Sequence, residues 1–378
     1  MLFDILKILF KYNTENTTES INSEIFLCLK EISSFLKRKG INNYLQEYEV
    51  KLSNGAKIKR ANLLAYDRKT KGPFILFQGH IDTIPALHHS VKINSKIVQG
   101  RGAVDMKGSL TGMIDAFVSL HKNRGALKYS PALLITGDEE ANSFVGIKNF
   151  LEQNKDFPIL FSICGEPSNF EVHTLLRGVM GYVLEKKGKE GHSAYPAGKL
   201  LIEEMIPVLN SVNDFLKESR KIKDKDFGHT IGALTTIISG TKDNQLPGSF
   251  RASFNLRTVK SKKAYDKIFK RTIVPKLDKS IKLKSFGFNP LMVKIPEELK
   301  IAIKNSFAEV GINYRESSAI FFTEASLMNN KGIPAFVCGP GNPRLAHVAS
   351  DKEVIKIKDI EKYSKLLKTT VININKAI

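Results

Sequence analysis

The sequence predicts an α/β protein in which a mixed, largely parallel sheet flanked by helices is interrupted by a small α+β domain. Up to Gly165, short apolar runs typical of buried strands alternate with helix-like segments, which is the pattern of βαβ units. After Glu166 the pattern changes to two alternations of strands and helices with few turns, and from about Pro290 the first pattern returns. We therefore expect a first domain of residues 1–172 and 291–378, and an inserted domain of residues 173–290.

Apolar periodicity and turn residues predict the individual elements. An amphipathic helix is expected over residues 20–39, where Lys39-Gly40 ends the apolar spacing. The other elements expected in the first domain are strands near 44–50, 57–66, 74–77, 132–136, 159–164 and 334–338, and helices near 107–121, 297–309 and 358–376. The inserted domain is expected to hold strands at 179–187, 230–239, 249–258 and 281–286, and helices at 200–216 and 262–273.

Length and composition bound the class of protein. A chain of 378 residues is long enough for two domains, and 42% apolar with 25% charged residues is ordinary for a globular protein. No apolar run approaches the roughly 18 residues that a membrane span needs, so we expect no membrane partner. Residues 1–10 have the spacing of an amphipathic helix and lack signal-peptide features, which predicts a cytoplasmic protein. Cys28, Cys164 and Cys338 are expected to be core thiols.

The formal net charge of +20 raises the question of a nucleic-acid partner. The lysines, however, are dispersed over segments that read as solvated faces. The chain has neither zinc-finger spacing nor a basic strand interleaved with aromatic residues. We therefore expect no nucleic-acid partner and assign the charge to the surface, where it would help to steer anionic substrates.

Residues 74–108 carry the first part of a candidate metal site. His80 and Asp82 follow the apolar run at 74–77, and Asp105 lies just ahead of the helix predicted near 107–121. A His and an Asp at the ends of buried elements, beside glycines that allow close backbone approach, suit a metal. Asp82 would point the same way as His80 along an extended segment and hold the imidazole in one tautomer. Taken alone, a His after a strand is more often a turn or core residue.

The remaining candidates follow the predicted strands in order. Glu139 and Glu140 come after the strand at 132–136, and Glu166 comes after the strand at 159–164. His347 follows the strand at 334–338 and a glycine-rich turn. Because ligands bind beyond the carboxyl ends of strands in open α/β sheets, we expect these side chains to converge. Carboxylates and imidazoles suit Zn²⁺ in a site that keeps an open position for water.

These residues lie in motifs that together resemble a known metallopeptidase family. The motifs are GHIDT at 79–83, GRGAVDMKG at 100–108, TGDEE at 136–140, GEPS at 165–168, GHSAYP at 191–196, and GPGN at 339–342 followed by AH at 346–347. The family includes succinyl-diaminopimelate desuccinylase, acetylornithine deacetylase, aminoacylase and glutamate carboxypeptidase. The resemblance covers essentially the whole chain and implies a catalytic domain interrupted by a lid domain through which two subunits form a homodimer.

The resemblance also implies roles for individual residues and two Zn²⁺ per subunit, with Co²⁺ or Mn²⁺ as substitutes. One cation would be bound by His80, Asp105 and Glu166. The other would be bound by Asp105, Glu140 and His347, so that Asp105 bridges the pair. Glu139 would be the general base and acid.

Residues of the lid domain would complete the site. His192 would polarise the scissile carbonyl, in relatives often from the partner subunit. Asn244 and Arg257 match positions that contact the substrate, where the planar Arg fork suits a carboxylate. Arg177 and Thr323 are weaker candidates for the same task.

The resemblance leaves the substrate open. The function expected first is hydrolysis of an N-acyl amino acid, of the N-succinyl-diaminopimelate or the N-acetylornithine and N-acetyl-lysine type. The alternative is a carboxypeptidase or dipeptidase of the same family. The short segment between His80 and Asp105 resembles acetylornithine deacetylases, whereas GHSAYP resembles the desuccinylase. Two positions depart from the usual pattern, namely Glu324 in a Thr-Glu-Ala segment and Asp351 four residues after His347, where relatives usually have Glu.

Overall fold

The computed structural model describes residues 1–17, 23–52, 55–86, 90–122, 127–141 and 144–378. The chain forms two compact units. The first consists of Met1–Thr174, Val293–Ser317 and Thr323–Ile378, and the second of Leu175–Met292 and Ser318–Phe322. The boundaries expected at 172 and 290 lie two residues from these, whereas residues 318–322, expected in the first domain, group with the second unit.

The elements alternate along the first unit as the sequence predicts. The helices, in chain order, are α1 (Leu2–Lys11), α2 (Ile25–Arg38), α3 (Lys107–His121), α4 (Val145–Gln153), α5 (Leu201–Arg220), α6 (Lys262–Thr272), α7 (Glu297–Val310), α8 (Glu324–Asn330) and α9 (Ile357–Ala377). The helix expected over 20–39 begins at Ile25, and residues 20–22 of that prediction lie outside the described residues. Among the described residues, no helix is both long and apolar enough to span a membrane.

The strands range from two to ten residues. In chain order they are β1 (Asn43–Lys51), β2 (Lys57–Ala65), β3 (Phe74–His80), β4 (Lys92–Ile93), β5 (Ile97–Gln99), β6 (Pro131–Thr136), β7 (Ile159–Cys164), β8 (Val172–Leu176), β9 (Gly178–Lys187), β10 (Gly191–His192), β11 (Lys223–Asp224), β12 (Gly228–His229), β13 (Ile231–Ser239), β14 (Gln245–Leu246), β15 (Ser249–Thr258), β16 (Lys282–Phe288), β17 (Leu291–Met292), β18 (Glu316–Ala319), β19 (Ala335–Val337) and β20 (Val354–Lys356).

The main sheet of the first unit has the order β1-β2-β6-β3-β7-β19-β8. The inner strands β6, β3, β7 and β19 run parallel to one another, while β1, β2 and β8 pair antiparallel at the two sides. All of β3 and β6 is buried, as expected for strands covered by helices on both faces. This mixed, largely parallel sheet confirms the predicted α/β class.

Helix α3 runs through the core of the first unit and places Asp105 just before its start. Nearly every residue of α3 is buried, against α1, α9 and the sheet. Gly112 allows the close approach of α9, because a Cβ atom at this position would lie 2.9 Å from a ring carbon of Tyr363. Because α3 is buried on nearly all sides, contacts with its neighbours fix its position in the first unit.

The second unit is an antiparallel sheet of order β13-β15-β9-β16 with helices α5 and α6 on one face. Its core is aromatic, since the ring of Tyr182 stacks on those of Phe254 and Phe269 with centroids 4.8 Å apart. Phe215 of α5 packs edge-on against the same group. Strands and helices segregated in this way form the small α+β unit that the change of pattern after Glu166 predicts.

Candidate metal centre

Four neighbouring parallel strands deliver the predicted ligands to one edge of the sheet. His80 is the last residue of β3 and lies opposite Thr136, the last residue of β6. Glu139 and Glu140 follow β6 within four residues, and Glu166 follows β7 within two. His347 lies in the loop after β19. Because the carboxyl ends of parallel strands share an edge, the side chains converge there although they come from distant parts of the chain.

Asp105 lies between the two imidazoles. Its Oδ1 atom is 3.1 Å from His80 Nε2, and its Oδ2 atom is 3.2 Å from His347 Nε2. Glu166 lies 3.8 Å from the same nitrogen of His80, and Glu140 lies 3.1 Å from that of His347. Each imidazole therefore faces Asp105 and one glutamate, and Asp105 belongs to both groups.

Potential ligand atoms of the two groups are close enough to share cations. The sets His80, Asp105, Glu166 and Asp105, Glu140, His347 each place one donor atom per residue within 4.8 Å of the others. A third set of the same compactness contains His80, Glu139 and Glu140. These are the five ligand residues named from the resemblance, together with the predicted base.

The loops that bear Glu166 and His347 pack tightly at Gly339. The amide of Cys338 donates to the carbonyl of Cys164 at 2.9 Å, and a Cβ atom on Gly339 would collide with the carbonyl oxygens of Gly165 and Glu166. Glycine is therefore required for this approach. His347 itself has a φ of +62°, a left-handed conformation that costs a non-glycine residue energy and persists only when its surroundings hold it.

Asp82 organises the site in a different way from the one expected. His80 Nδ1 lies 2.9 Å from the main-chain carbonyl of Asp82 and 3.6 Å from its carboxylate, so the carbonyl is the hydrogen-bond partner that fixes the tautomer. The buried carboxylate instead accepts hydrogen bonds from the amides of Glu139 and Glu140, at 3.2 and 2.9 Å. Asn16 donates a further bond to it at 2.9 Å. Asp82 thus orients the imidazole through its main chain and the Glu139–Glu140 turn through its side chain.

Glu139 and Glu140 lie in a bend and a turn after β6. They are therefore not separated by the alternation of side chains along a strand. Their different directions come from the local turn that Asp82 holds. Glu140 points to His347, whereas a carboxylate oxygen of Glu139 lies near His80.

Burial and mutual contact shift the pKa values of this cluster strongly. Burial raises the pKa of Glu166 to about 7, despite the hydrogen bond with His80, and burial also raises the pKa of Glu139 well above its ordinary value. Hydrogen bonds with Asp105 and Glu140 raise the pKa of His347 to about 10. Burial alone would lower the pKa of His80, but its hydrogen bonds with Asp105 and Glu166 raise it well above the usual range. The raised pKa values favour the protonated forms of these four side chains.

The residues present fit two divalent cations. Four carboxylates and two imidazoles gather at one sheet edge, and the ion pairs described among them are made by the imidazoles. Positive charge in that place would compensate carboxylates that are otherwise costly to bury. The mixed oxygen and nitrogen donor set suits Zn²⁺ and related divalent ions, and the central Asp105 suits a shared ligand.

The structure places two of the predicted lid residues together. His192 and Gln245 are paired between β10 and β14, and the amide of Ser193 donates to the carbonyl of Asn244 at 3.0 Å. His192 is exposed, and its Nδ1 accepts a hydrogen bond from the amide of Ala194 at 3.0 Å. The imidazole is therefore oriented by its own turn and presented to the outside of the second unit.

The weaker substrate-binding candidates have structural partners. Arg177 is buried and donates to the carbonyl of His229 at 3.2 Å, within the second unit. Thr323 is buried and caps α8, where its hydroxyl accepts from the amide of Ala325. Arg257 is half-buried on β15, opposite Ile231 and Val179 of the neighbouring strands. These contacts explain the burial of Arg177 and Thr323 without a substrate.

Two buried acids near the centre, Glu353 and Glu324, have no role in the site predicted from the sequence. Glu353, which is fully buried, accepts hydrogen bonds from the amides of Val104 and Asp105, whereas Asp351 is exposed. The acid after His347 that contacts the amide of the predicted ligand Asp105 is therefore Glu353 rather than Asp351. Glu324 is also buried, behind the site, and accepts from Thr136 Oγ1 at 2.7 Å and from Gln78. Glu353 follows Asp351 and Lys352 in a charged run, so nothing in the local sequence marks it as a buried residue.

The fold and these donors define an α/β protein with a candidate two-cation centre at the ends of its parallel strands. The sequence profile described as Peptidase family M20/M25/M40 matches residues 76–373, and the chain belongs to this family of hydrolases. This confirms the resemblance noted from the motifs.

Named relatives and a solved structure agree with the family. The acetylornithine deacetylase of Buchnera aphidicola subsp. Schizaphis graminum is 26% identical over 354 residues, which cover 89% of each chain. The succinyl-diaminopimelate desuccinylase of Rickettsia felis is 29% identical over 257 residues, which cover 63% of this chain and 65% of that protein. Human carnosine dipeptidase 1 has the same fold, with a TM-score of 0.79 at 18% identity over 99% of this chain and 96% of its own.

Proposed function

We propose that the protein is a hydrolase that cleaves the amide bond of an N-acyl amino acid with two divalent cations, most simply Zn²⁺. The observation that carries this proposal is the position of Asp105, whose two carboxylate oxygens each lie within 3.2 Å of a different histidine. His80 and Glu166 would bind one cation, Glu140 and His347 the other, and Asp105 both. Co²⁺ or Mn²⁺ would substitute for zinc, since both accept the same donors.

Two cations bound there would supply Lewis acidity for the amide carbonyl and for a water molecule. Glu139 would take the proton from the attacking water and deliver it to the leaving amine. Without cations, burial raises the pKa of Glu139, which favours the uptake of a proton by this carboxylate. His192 would donate a hydrogen bond to the carbonyl oxygen as negative charge develops there. Arg257 and Asn244 would contact the substrate carboxylate and main chain.

The substrate proposed first is an acyl-diamino acid, of the N-succinyl-diaminopimelate or the N-acetylornithine and N-acetyl-lysine type, in a cytoplasmic biosynthetic route. The names of the two relatives support this choice. The second candidate is a metallo-carboxypeptidase or dipeptidase, which the fold shared with human carnosine dipeptidase 1 favours. Glu166 matches the acylase and carboxypeptidase branches of the family by resemblance.

A homodimer formed through the second unit is part of the proposal. Strand β13 lies at the edge of its sheet, and it exposes Ile231, Leu234, Ile237 and Ile238. Ile202 and Ile206 of α5, which packs on this sheet, are also exposed. An exposed apolar edge strand is a template for pairing with a second chain, and a second copy offers the same strand.

The test is release of free amine from N-succinyl-diaminopimelate, N-acetylornithine, N-acetyl-lysine and a small set of dipeptides. Each substrate is incubated with the zinc-loaded protein and with protein treated with a chelator. Turnover of an acyl-diamino acid that stops in the chelator is the expected result. Turnover of dipeptides alone would move the protein to the peptidase alternative, and chelator-resistant turnover would contradict the two-cation proposal.

A further inference from the structure

A buried ion pair joins the loop before α3 to the loop that carries His347. Arg101 Nη1 lies 2.5 Å from Glu353 Oε2, and the Arg101 side chain is only 10% exposed while that of Glu353 is fully buried. The second amino group of Arg101, Nη2, donates to the carbonyl of Val348 at 2.8 Å. The guanidinium therefore contacts the residue directly after His347.

The other carboxylate oxygen of Glu353 contacts the loop before α3. Glu353 Oε1 accepts hydrogen bonds from the amide of Val104 at 3.0 Å and from that of Asp105 at 3.3 Å. The carbonyl of Glu353 accepts from the amide of Gly100 at 3.0 Å, so the link continues on the main chain. Both carboxylate oxygens of Glu353 thus have partners. Oε2 pairs with the guanidinium of Arg101, and Oε1 accepts from the amide of the predicted ligand Asp105.

The pair connects two ligands of one cation. Asp105 and His347, whose Oδ2 and Nε2 atoms are 3.2 Å apart, belong to the same three-residue group as Glu140. His347 has a φ of +62°, which its surroundings must maintain. Arg101 holds the carbonyl of Val348, the residue that follows His347, and Glu353 holds the amide of Asp105.

We propose that Arg101 and Glu353 are positioning residues that hold Asp105 and His347 in the geometry required for the cation shared with Glu140. This inference rests on the proposed two-cation function. Neither side chain belongs to the proposed ligand set, and both would act through main-chain contacts with the loops that carry the ligands. Residues that orient ligands in this way typically change metal affinity by about 10–100-fold when they are replaced.

The contact of Arg101 with the loop of His347 makes the effect of losing Arg101 selective. Arg101 contacts the loop of His347, whereas His80 and Glu166 are held by β3 and β7. Loss of Arg101 should therefore weaken the binding of the cation proposed between His347 and Glu140. The affinity for the cation proposed between His80 and Glu166 should stay nearly unchanged. A planar fork that binds two acceptors is a property of arginine, so lysine is not an equivalent replacement.

The experiment measures stepwise binding of Co²⁺ and Zn²⁺ to the metal-free full-length protein, by competition with a chromophoric chelator and by the absorption of bound Co²⁺. For Arg101→Ala, we expect a second cation that binds about 10–100-fold more weakly and a first cation whose affinity stays within about threefold. Arg101→Lys, which keeps the charge beside Glu353, should show the same selective loss to a smaller extent. Asp278→Asn is a control for the loss of an ion pair away from the centre, because Asp278 lies 2.9 Å from Lys186 in the other unit.

Chemical rescue separates positioning from general stability. Arg101 lines a cavity of about 340 Å³, which has room for free guanidinium. Millimolar guanidinium should restore the affinity of Arg101→Ala for the second cation. Urea, which has the same shape without the charge, should not. Equal affinities in wild type and both Arg101 variants would overturn the inference, as would parallel loss of both cations without rescue. A wild-type chain that binds fewer than two cations would instead overturn the proposed function and, with it, the inference.

Discussion

Glu139 and Glu140 are neighbours in sequence but have different contacts. Glu140 lies 3.1 Å from His347 Nε2, whereas Glu139 groups with His80 and Glu140 among the described residues. If Glu139 is the general base, Glu139→Gln should keep both cations and lose turnover by about 10³-fold, within the usual range for a general acid–base residue. Metal content and kcat are measured together. Glu140→Gln should lose one cation, and loss of metal from Glu139→Gln would show that Glu139 is a ligand.

Glu324 is a buried acid whose ionisation opposes folding. Burial raises its pKa from 4.5 to about 8, against the hydrogen bond from Thr136. Between these pH values the folded protein retains a proton that the unfolded chain has released. Folding therefore takes up a proton, and the free energy of unfolding falls by about 1.4 kcal/mol per pH unit as the pH rises through this window.

Glu324→Gln should remove this dependence on pH. Within the described residues Glu324 Oε1 has no hydrogen-bond partner, so an amide nitrogen can replace it while the other oxygen keeps Thr136. Relative to wild type, the free energy of unfolding of the variant should rise by a few kcal/mol between about pH 5 and pH 8. Urea unfolding of the metal-free protein checks this. A difference that stays constant across the range would show that Glu324 ionises normally.

At the scale of helices and strands, local periodicity predicts the long elements and fails for the short ones. The helix expected over 107–121 is α3, Lys107–His121, and the strand expected over 249–258 is β15, Ser249–Thr258. In contrast, α4, α8 and two-residue strands such as β10 and β14 were not expected. Such elements are too short to show a period, and tertiary contacts determine them.

The packing of α3 on α9 gives a prediction at this scale. In Gly112→Ala the new Cβ atom would lie 2.9 Å from Tyr363 Cδ1 and 3.2 Å from the carbonyl of Ile360. The Tyr363 ring is fully buried and its hydroxyl donates to Cys338, so it has little freedom to shift. Although alanine favours a helix by about 1 kcal/mol over glycine, overpacking should cost more, for a net loss of about 1–2 kcal/mol.

Chemical unfolding measures the effect of Gly112→Ala. Ser119→Ala is a control on the same helix, where the half-buried hydroxyl donates to the carbonyl of Asp115. It should change the free energy of unfolding by no more than about 0.5 kcal/mol. A Gly112→Ala protein as stable as wild type would mean that α9 can move away from α3 at little cost.

Across the whole molecule, the sequence predicts which residues meet when each follows a parallel strand, as His80 and Glu166 do. It does not predict pairs such as Arg101 and Glu353, which are 252 residues apart. No periodicity links these two positions, and their contact depends on how β20 pairs with β5. Residues that would bind the cations are therefore easier to predict from the sequence than the residues that hold those ligand side chains in place.

Self-association is the first prediction for the complete molecule. If two copies pair through β13, Ile237→Lys should place a charge in the interface and convert a dimer into a monomer. Ile301→Lys on α7 is a matched control, since Ile301 is 49% exposed and Ile237 is 51% exposed. Light scattering after size-exclusion chromatography gives the mass. A wild-type monomer, or a dimer that persists in Ile237→Lys, would contradict pairing through this strand.

Complementation between subunits tests whether His192 acts in the site of its partner. His192 is exposed on the second unit and Glu139 belongs to the first, so the two residues can be inactivated separately. Neither His192→Ala nor Glu139→Gln should turn over substrate alone. A mixed dimer would contain one site with both residues intact if His192 reaches across the interface, and part of the activity should return after subunit exchange. Exchange is verified with differently tagged chains, and an inactive mixed dimer would place His192 in its own subunit's site.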